Sequence, residues 1–281
     1  MGEAVLLHHE LLTTPGVAAA RVVVFLHGIL GTGANLRSHA RRLLSSLPDT
    51  AALLLDLRAH GQSQGAEGED TVAGAAADVV ETLAHVGLPP HAVVGHSFGG
   101  KVALALTPLL PELGHVLTLD SAPGARPDAR GSEATVRVLR LLEALRGPWS
   151  SREDFVREVV AHGESTMLAS WLGMNLVRGE AGFVFTLTLS RIGALLDDYF
   201  HVDLWPVVER AAASRRGPRL HLVIGTRSQV YEHADRVRAQ QLESESAGFV
   251  TVDLLDAGHW VHVEAPQGVA EVLQRRLQPG A

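Results

Sequence analysis

The sequence predicts an α/β fold, with a mostly parallel central sheet covered by helices on both faces and a helical insertion in its second half. Three observations carry this. Short β-branched runs alternate with longer amphipathic runs between residues 21 and 119. From about residue 125 to 208 the pattern turns to helix alone. The alternation then resumes and continues to the last residues. Strand, helix, strand in this rhythm calls for right-handed crossovers and parallel pairing. Parallel strands buried on both faces read as continuous apolar runs.

The elements follow in order. Residues 21–27 (RVVVFLH) form the first buried strand, and 36–47 a helix with Leu36, Ala40, Leu43, Leu44 and Leu47 at helical spacing. Residues 51–57 (AALLLDL) are a second strand, and 71–86 a helix with Asp70 as cap and Gly87 and Pro89 as stop. Residues 92–95 are the third strand, 99–106 the helix after it, and 116–119 the fourth strand. Ala122-Pro123-Gly124 breaks the rhythm. Helices are predicted at 134–145, from Ser151 through Val160, at 167–176 and at 190–200, the second opened by a capping-box-like Ser and Asp. A strand at 220–225 (LHLVIG), a helix at 232–242, a strand at 249–254 and a helix at 266–277 complete the chain. The organisation expected is a core in two parts, 1–124 and 209–281, with a helical cap at 125–208.

Composition narrows the function classes. At 46% hydrophobic and 20% charged, the 281 residues suit a soluble globular enzyme. A net charge of −7 without a basic run argues against a nucleic-acid partner. The absence of cysteine excludes disulfides, thiolate metal sites and a cysteine nucleophile. The histidines lack the spacing of a ligand cluster, so neither a metal nor a cofactor is expected. The first residues lack a basic stretch followed by a long apolar core, and the apolar stretch 17–26 is interrupted by Arg21. A cytoplasmic protein without stable membrane anchoring is the expectation.

The chemistry is concentrated at the strand ends. Gly95-His96-Ser97-Phe98-Gly99 is a G-x-S-x-G pentapeptide between a β-rich run and a helix-forming run. Such a turn pushes its serine out on a strained backbone, which makes Ser97 the candidate nucleophile. A serine hydroxyl needs a base, and His259 lies in the loop after the last strand, at the sheet edge that presents Ser97. His262 is its near rival and is read as packing. His27, His60 and His96 sit in strand-end turns and are read as structural. The base needs a carboxylate to orient it. In most enzymes that present a serine on such a turn the acid follows the strand read here as 220–225, about three residues after a glycine; that position is Ser228, which carries no charge. The alternative seat is the end of the preceding strand, Asp120; Asp256, three residues before His259, is the competitor. Asp56 is assigned to its own turn. Two backbone N–H groups must hold the oxyanion. Phe98 supplies one, and the glycine-rich turn after the first strand supplies the other from Ile29, with Leu30 as rival. Lys101, the only lysine, is read as a helix residue in a local ion pair.

His27-Gly28, Asp56-x-Arg58-x-His60-Gly61, Gly95–Gly100 and Gly258-His259 together resemble the α/β-hydrolase superfamily over nearly the whole chain. Leu119-Asp120-Ser121-Ala122-Pro123-Gly124 and Gly258-His259-Trp260-Val261-His262-Val263-Glu264 resemble a serine-esterase branch whose triad acid follows the sixth strand of that fold. Trp171–Leu176 and Trp205-Pro206 look like its bacterial and plant members. The resemblance implies cleavage of short to medium acyl esters by a serine carboxylic-ester hydrolase, with a small-molecule ester or thioester as substrate. A thioesterase or acyltransferase with the same triad is the alternative, and a non-catalytic ligand-binding protein on this fold the second. A dehalogenase would need an aspartate at 97. A neutral His259 is required throughout, so activity should fall on acidification. The cap is expected to supply an apolar acyl pocket, with Trp171, Met174, Phe183, Phe200 and Trp205 as candidate lining or core.

Overall fold

In the computed structural model, which describes residues 6–278, the chain runs β1 (His9–Leu12), β2 (Arg21–Leu26), α1 (Arg37–Ser46), β3 (Thr50–Leu55), α2 (Val72–Val86), β4 (Ala92–His96), α3 (Phe98–Ala105) and β5 (His115–Leu119). It continues through α4 (Glu133–Ala144), α5 (Arg152–Ala161), α6 (Thr166–Leu172), β6 (Leu176–Gly179), β7 (Gly182–Phe185), α7 (Leu189–His201) and α8 (Trp205–Ser214). Then follow β8 (Arg219–Gly225), α9 (His233–Glu245), β9 (Val250–Leu255), α10 (Val261–Glu264) and α11 (Pro266–Leu277). Seven strands form one sheet in the order β1-β3-β2-β4-β5-β8-β9. Only β1 is antiparallel to its neighbour.

The sequence dictates this through alternation within each apolar run. In β2, Val22, Val24 and Leu26 face one core layer while Val23 and Phe25 face the other. Successive side chains of a strand point to opposite faces, so an unbroken apolar strand needs cover on both. The first layer is closed by α2, α3 and most of the segment between β5 and β8, the second by α1 and α11. All six residues of β3 and all five of β4 are buried.

Strand order positions the site. From β2 the chain crosses to β3 on one side and then returns to place β4 on the other. The turns leaving β2 and β4 therefore sit side by side at the carboxyl edge, where the order reverses and a crevice opens. Beside them lie the ends of β5 and β8, also parallel.

The six strands expected from sequence are β2, β3, β4, β5, β8 and β9, with ends within two residues. The segment between β5 and β8 departs from its all-helical expectation by one hairpin, β6–β7, in which Val177 faces Val184 and Gly179 faces Gly182. Its strands are four residues long, too short for a period to show. Helix α2 is capped by Thr71, whose side chain accepts from Gly74 N–H, and not by Asp70. Asp70 instead accepts from Nε and Nη2 of Arg191 on α7.

Candidate active site

The turn from β4 into α3 is too tight for side chains at its flanks. A Cβ at Gly95 would lie 2.0 Å from the Gly99 carbonyl oxygen, and one at Gly99 2.5 Å from that of Leu26. Ser97 between them adopts φ 51°, ψ −116°, a conformation that a residue with a side chain rarely takes. Its amide donates to the Leu119 carbonyl on β5, 3.1 Å, which fixes the strained turn against the sheet.

The structure brings Ser97, His259 and Asp120 into one hydrogen-bonded row. Ser97 Oγ lies 3.0 Å from His259 Nε2, and His259 Nδ1 lies 2.8 Å from Asp120 Oδ2. Asp120 is fully buried at the end of β5. Its Oδ1 accepts from Gly225 N–H at 3.0 Å, and its Oδ2 also accepts from Ser228 Oγ at 2.6 Å. Ser228, at the seat where an acid was missing, thus donates to the carboxylate that stands in for it. With Asp120 accepting throughout, His259 carries its proton on Nδ1 and leaves the Nε2 lone pair toward the Ser97 hydroxyl.

Asp256 is elsewhere. It is largely exposed and pairs with Arg227 at 2.9 Å. Glu264 braces the same loop from the other side, accepting from Gly258 N–H at 2.9 Å and pairing with Arg227 at 3.0 Å. The Gly258 N–H, reinforced by Arg227, holds the Glu264 carboxyl below its ordinary range.

Two backbone amides in the turns beside the row have no protein acceptor among the described residues. Phe98 N–H is the first of α3, where a helix has no internal partner. Ile29 N–H lies in the turn after β2, and the residue lines a pocket that also borders Ser97. Leu30, the rival, is removed because its amide donates to His60 Nε2 at 3.0 Å. Leu30 itself sits at φ 64°, and its carbonyl accepts from Asn175 Nδ2 at 2.9 Å. The turn is therefore held from the core by a histidine and from the insert by an asparagine.

His27 and His60 are cross-braces. His27 Nδ1 donates to Gly28 O at 2.8 Å and its Nε2 accepts from Leu57 N–H at 2.9 Å. His60 Nδ1 donates to Arg58 O at 2.8 Å. Both rings are buried and neutral: burial pushes His27 down to about 4, and burial, together with the neighbouring His27 ring against which a second positive charge would stand, pushes His60 down to about 3. Asp56 ties the same turns, accepting from Gly33 N–H at 2.8 Å and from Gln62 N–H at 2.9 Å.

Lys101 corrects its expectation. Among the described residues no carboxylate stands within ion-pair distance of it. Its buried ammonium donates to the carbonyls of Gly124 (2.9 Å), Tyr199 (2.7 Å) and Val202 (2.7 Å) and lies 4.5 Å from the Tyr199 ring centre. Two of these carbonyls end α7, where the helix dipole favours a cation. Burial lowers its pKa to about 7, against the pull of Asp203.

A pocket of about 120 Å³ opens beside Ser97. Ile29, Val138, Leu168, Trp171 and Trp260 give it apolar walls, and no Asp, Glu, Lys or Arg lines it. Of the five cap side chains named from sequence, Trp171 alone lines it, edge-to-face with Trp260 at 4.8 Å. Met174 is exposed; Phe183 lies under the Arg152 guanidinium. Phe200 and Trp205 are buried in the core. Val138 and Leu168 were missed because any apolar residue on an amphipathic helix reads as core.

A strained serine at a strand-to-helix turn, a histidine and a buried aspartate at one sheet edge define a hydrolase-type site. The chain belongs to the Alpha/beta hydrolase family, whose profile it matches over residues 23–272. It is 25% identical over 268 residues to the sn-1-specific diacylglycerol lipase ABHD11 of Mus musculus, spanning 90% of this chain and 79% of that protein. It is 27% identical over 260 residues to Esterase YbfF of Escherichia coli (strain K12), spanning 91% and 92%. A marine microorganism esterase of solved structure superposes with a TM-score of 0.76 at 20% identity, over 97% of this chain and 98% of that one. The esterase and lipase relatives support a hydrolase of this family. No helix among the described residues is long and apolar enough to cross a membrane.

Proposed function

We propose that this chain is a serine esterase that cleaves neutral carboxylic esters of short to medium acyl chains through an acyl-enzyme. The observation that carries the reading is the continuous row from Ser97 Oγ through His259 to Asp120, beside two unengaged amides. His259 Nε2 takes the hydroxyl proton as Ser97 Oγ bonds to the acyl carbon. The carbonyl oxygen, now an oxyanion, is held by the Phe98 and Ile29 amides; one such donor is worth ~100–1000-fold in turnover. His259 then hands its proton to the departing alkoxide as the ester C–O bond breaks. Water enters, gives its proton to His259 and attacks the acyl carbon; the proton returns to Ser97 as the acid leaves. Asp120 orients the ring and stabilises the imidazolium that forms in each half. No cofactor enters any step.

Residues 125–208 act as the cap, and the pocket of about 120 Å³ takes the acyl chain. Its uncharged, mostly apolar lining favours an alkyl group over a charged acid. A fluorophosphonate probe is expected to label the folded wild type and to leave Ser97→Ala unlabelled. A wild type that folds but neither labels nor hydrolyses any ester from acetate to octanoate would sink the proposal. Thioesters run beside the aryl esters separate the two leaving groups. Trp171→Ala enlarges the pocket at its Trp260 wall. It is expected to raise the octanoate-to-butyrate ratio of kcat/KM about tenfold, several methylenes of added burial outweighing the lost ring contact. An unchanged ratio would place the acyl chain elsewhere.

A further inference from the structure

His96 immediately precedes Ser97, yet its ring is engaged with the opposite partner in the row. Its Nε2 lies 3.0 Å from the His259 backbone carbonyl, and since a carbonyl can only accept, Nε2 carries the proton. The ring is buried, 3% exposed. It is wedged between the two other elements of the site. His262 packs on it edge-to-face at 4.2 Å and Trp260 lies 5.7 Å away. On the far side Gly28 comes so close that a Cβ there would stand 2.8 Å from His96 Nδ1. Burial, with the neighbouring His262 and His259 rings, keeps His96 neutral, so it has one N–H to give. The loop carrying His259 is also braced on either side of the base: at Gly258 by Glu264, at Ala257 by the Arg227 amide, and at His262, whose carbonyl accepts from His39 Nε2 at 2.8 Å.

We propose that His96 is the positioning residue of the base. Through its Nε2–H bond to the His259 carbonyl it couples the backbone of the elbow to that of the base, and so sets the Ser97–His259 separation. One dipeptide, His96-Ser97, thereby holds both ends of a proton transfer that spans 3.0 Å. The ring is not itself a reacting group. The inference rests on the esterase reading above and adds to it a residue that the row alone does not contain.

The test uses two amides of different reach. In His96→Gln the side-chain N–H extends to about the position of Nε2. In His96→Asn it stops near Nδ1 and cannot reach the His259 carbonyl. Steady-state kinetics on an aryl butyrate, the rate of fluorophosphonate labelling and the thermal midpoint are measured on the full chain. His96→Asn is expected to lower kcat and the labelling rate together by about 10–100-fold, with KM within about threefold, as for a misplaced but intact base. His96→Gln is expected to stay within about threefold of wild type in kcat. A folded His96→Gln as impaired as His96→Asn overturns the inference, and so does a His96→Asn that labels at the wild-type rate. If His96→Asn does not fold, the kcat of His96→Gln decides alone. Failure of the wild type to label at all falls on the esterase reading instead.

Discussion

Asp120→Asn is expected to lower kcat by about 10⁴-fold, whereas Asp256→Asn stays close to wild type. The asymmetry follows from hydrogen-bond sign. Asp120 Oδ1 accepts from the Gly225 amide, so an asparagine must turn its oxygen there and its NH₂ toward His259 and Ser228. A donor then faces His259 Nδ1–H. The ring relieves the conflict by moving its proton to Nε2, and the lone pair that receives the Ser97 proton is gone. Nothing similar befalls Asp256, whose exposed carboxylate meets only Arg227 at the surface. Steady-state kinetics on an aryl ester measure both variants. Because Ser228 Oγ already lies 2.6 Å from Asp120 Oδ2, adding Ser228→Asp to Asp120→Asn returns a carboxylate to the neighbourhood and is expected to recover part of the loss. An Asp256→Asn that abolishes turnover beside a nearly silent Asp120→Asn would overturn the assignment.

Acid is expected to weaken this protein from about pH 6 downward, before its carboxylates begin to titrate. His27 and His60 each use Nε2 as an acceptor from a backbone amide, so protonation both introduces a buried charge and breaks a bond. Burial pushes His27 down to about 4, and also His262 and His221 to about 3, the last two aided by neighbouring imidazoles. In the unfolded chain these rings titrate near 6.5. Below that pH the unfolded state binds more protons, so stability is intact above about 6.5 and drains away as pH falls toward the folded values. Two pH units below 6.5, each ring kept neutral costs about 3 kcal/mol. Two such rings reach the lower end of the 5–15 kcal/mol that typically holds a domain together. Urea midpoints should therefore drop steeply below about pH 6, with the cooperative fold lost by about pH 4.5. A midpoint constant from pH 7 to 4.5 would contradict the neutral assignment.

What the sequence disclosed was what repeats or what breaks a rule. The apolar runs at 21–27 and 92–95 are legible because a strand buried on both faces has almost no freedom in composition. The elbow is legible because Gly95 and Gly99 flank a serine where nothing larger fits. The placement of Asp120 beside His259 was reached through an absence, since Ser228 cannot be ionised. Strand β1 was invisible because HELL has no alternation; it forms by pairing along β3. The partners of Lys101 were invisible for a different reason. They are backbone carbonyls, and any residue has one. The pocket wall suffered likewise, as Val138 and Leu168 differ from their core neighbours only in which way they face.

The single lysine has a consequence for anyone handling the molecule. All three ammonium protons of Lys101 are engaged by carbonyls between the elbow helix and the end of α7, and the side chain is sealed from solvent. To the usual amine-directed reagents the folded protein presents no lysine at all. Acylating labels and crosslinkers that seek lysine find none at its surface, which leaves them the α-amine. The one amine-bearing side chain becomes reachable only through an opening that frees it from the Gly124, Tyr199 and Val202 carbonyls, so the rate of its modification would time the opening of that contact.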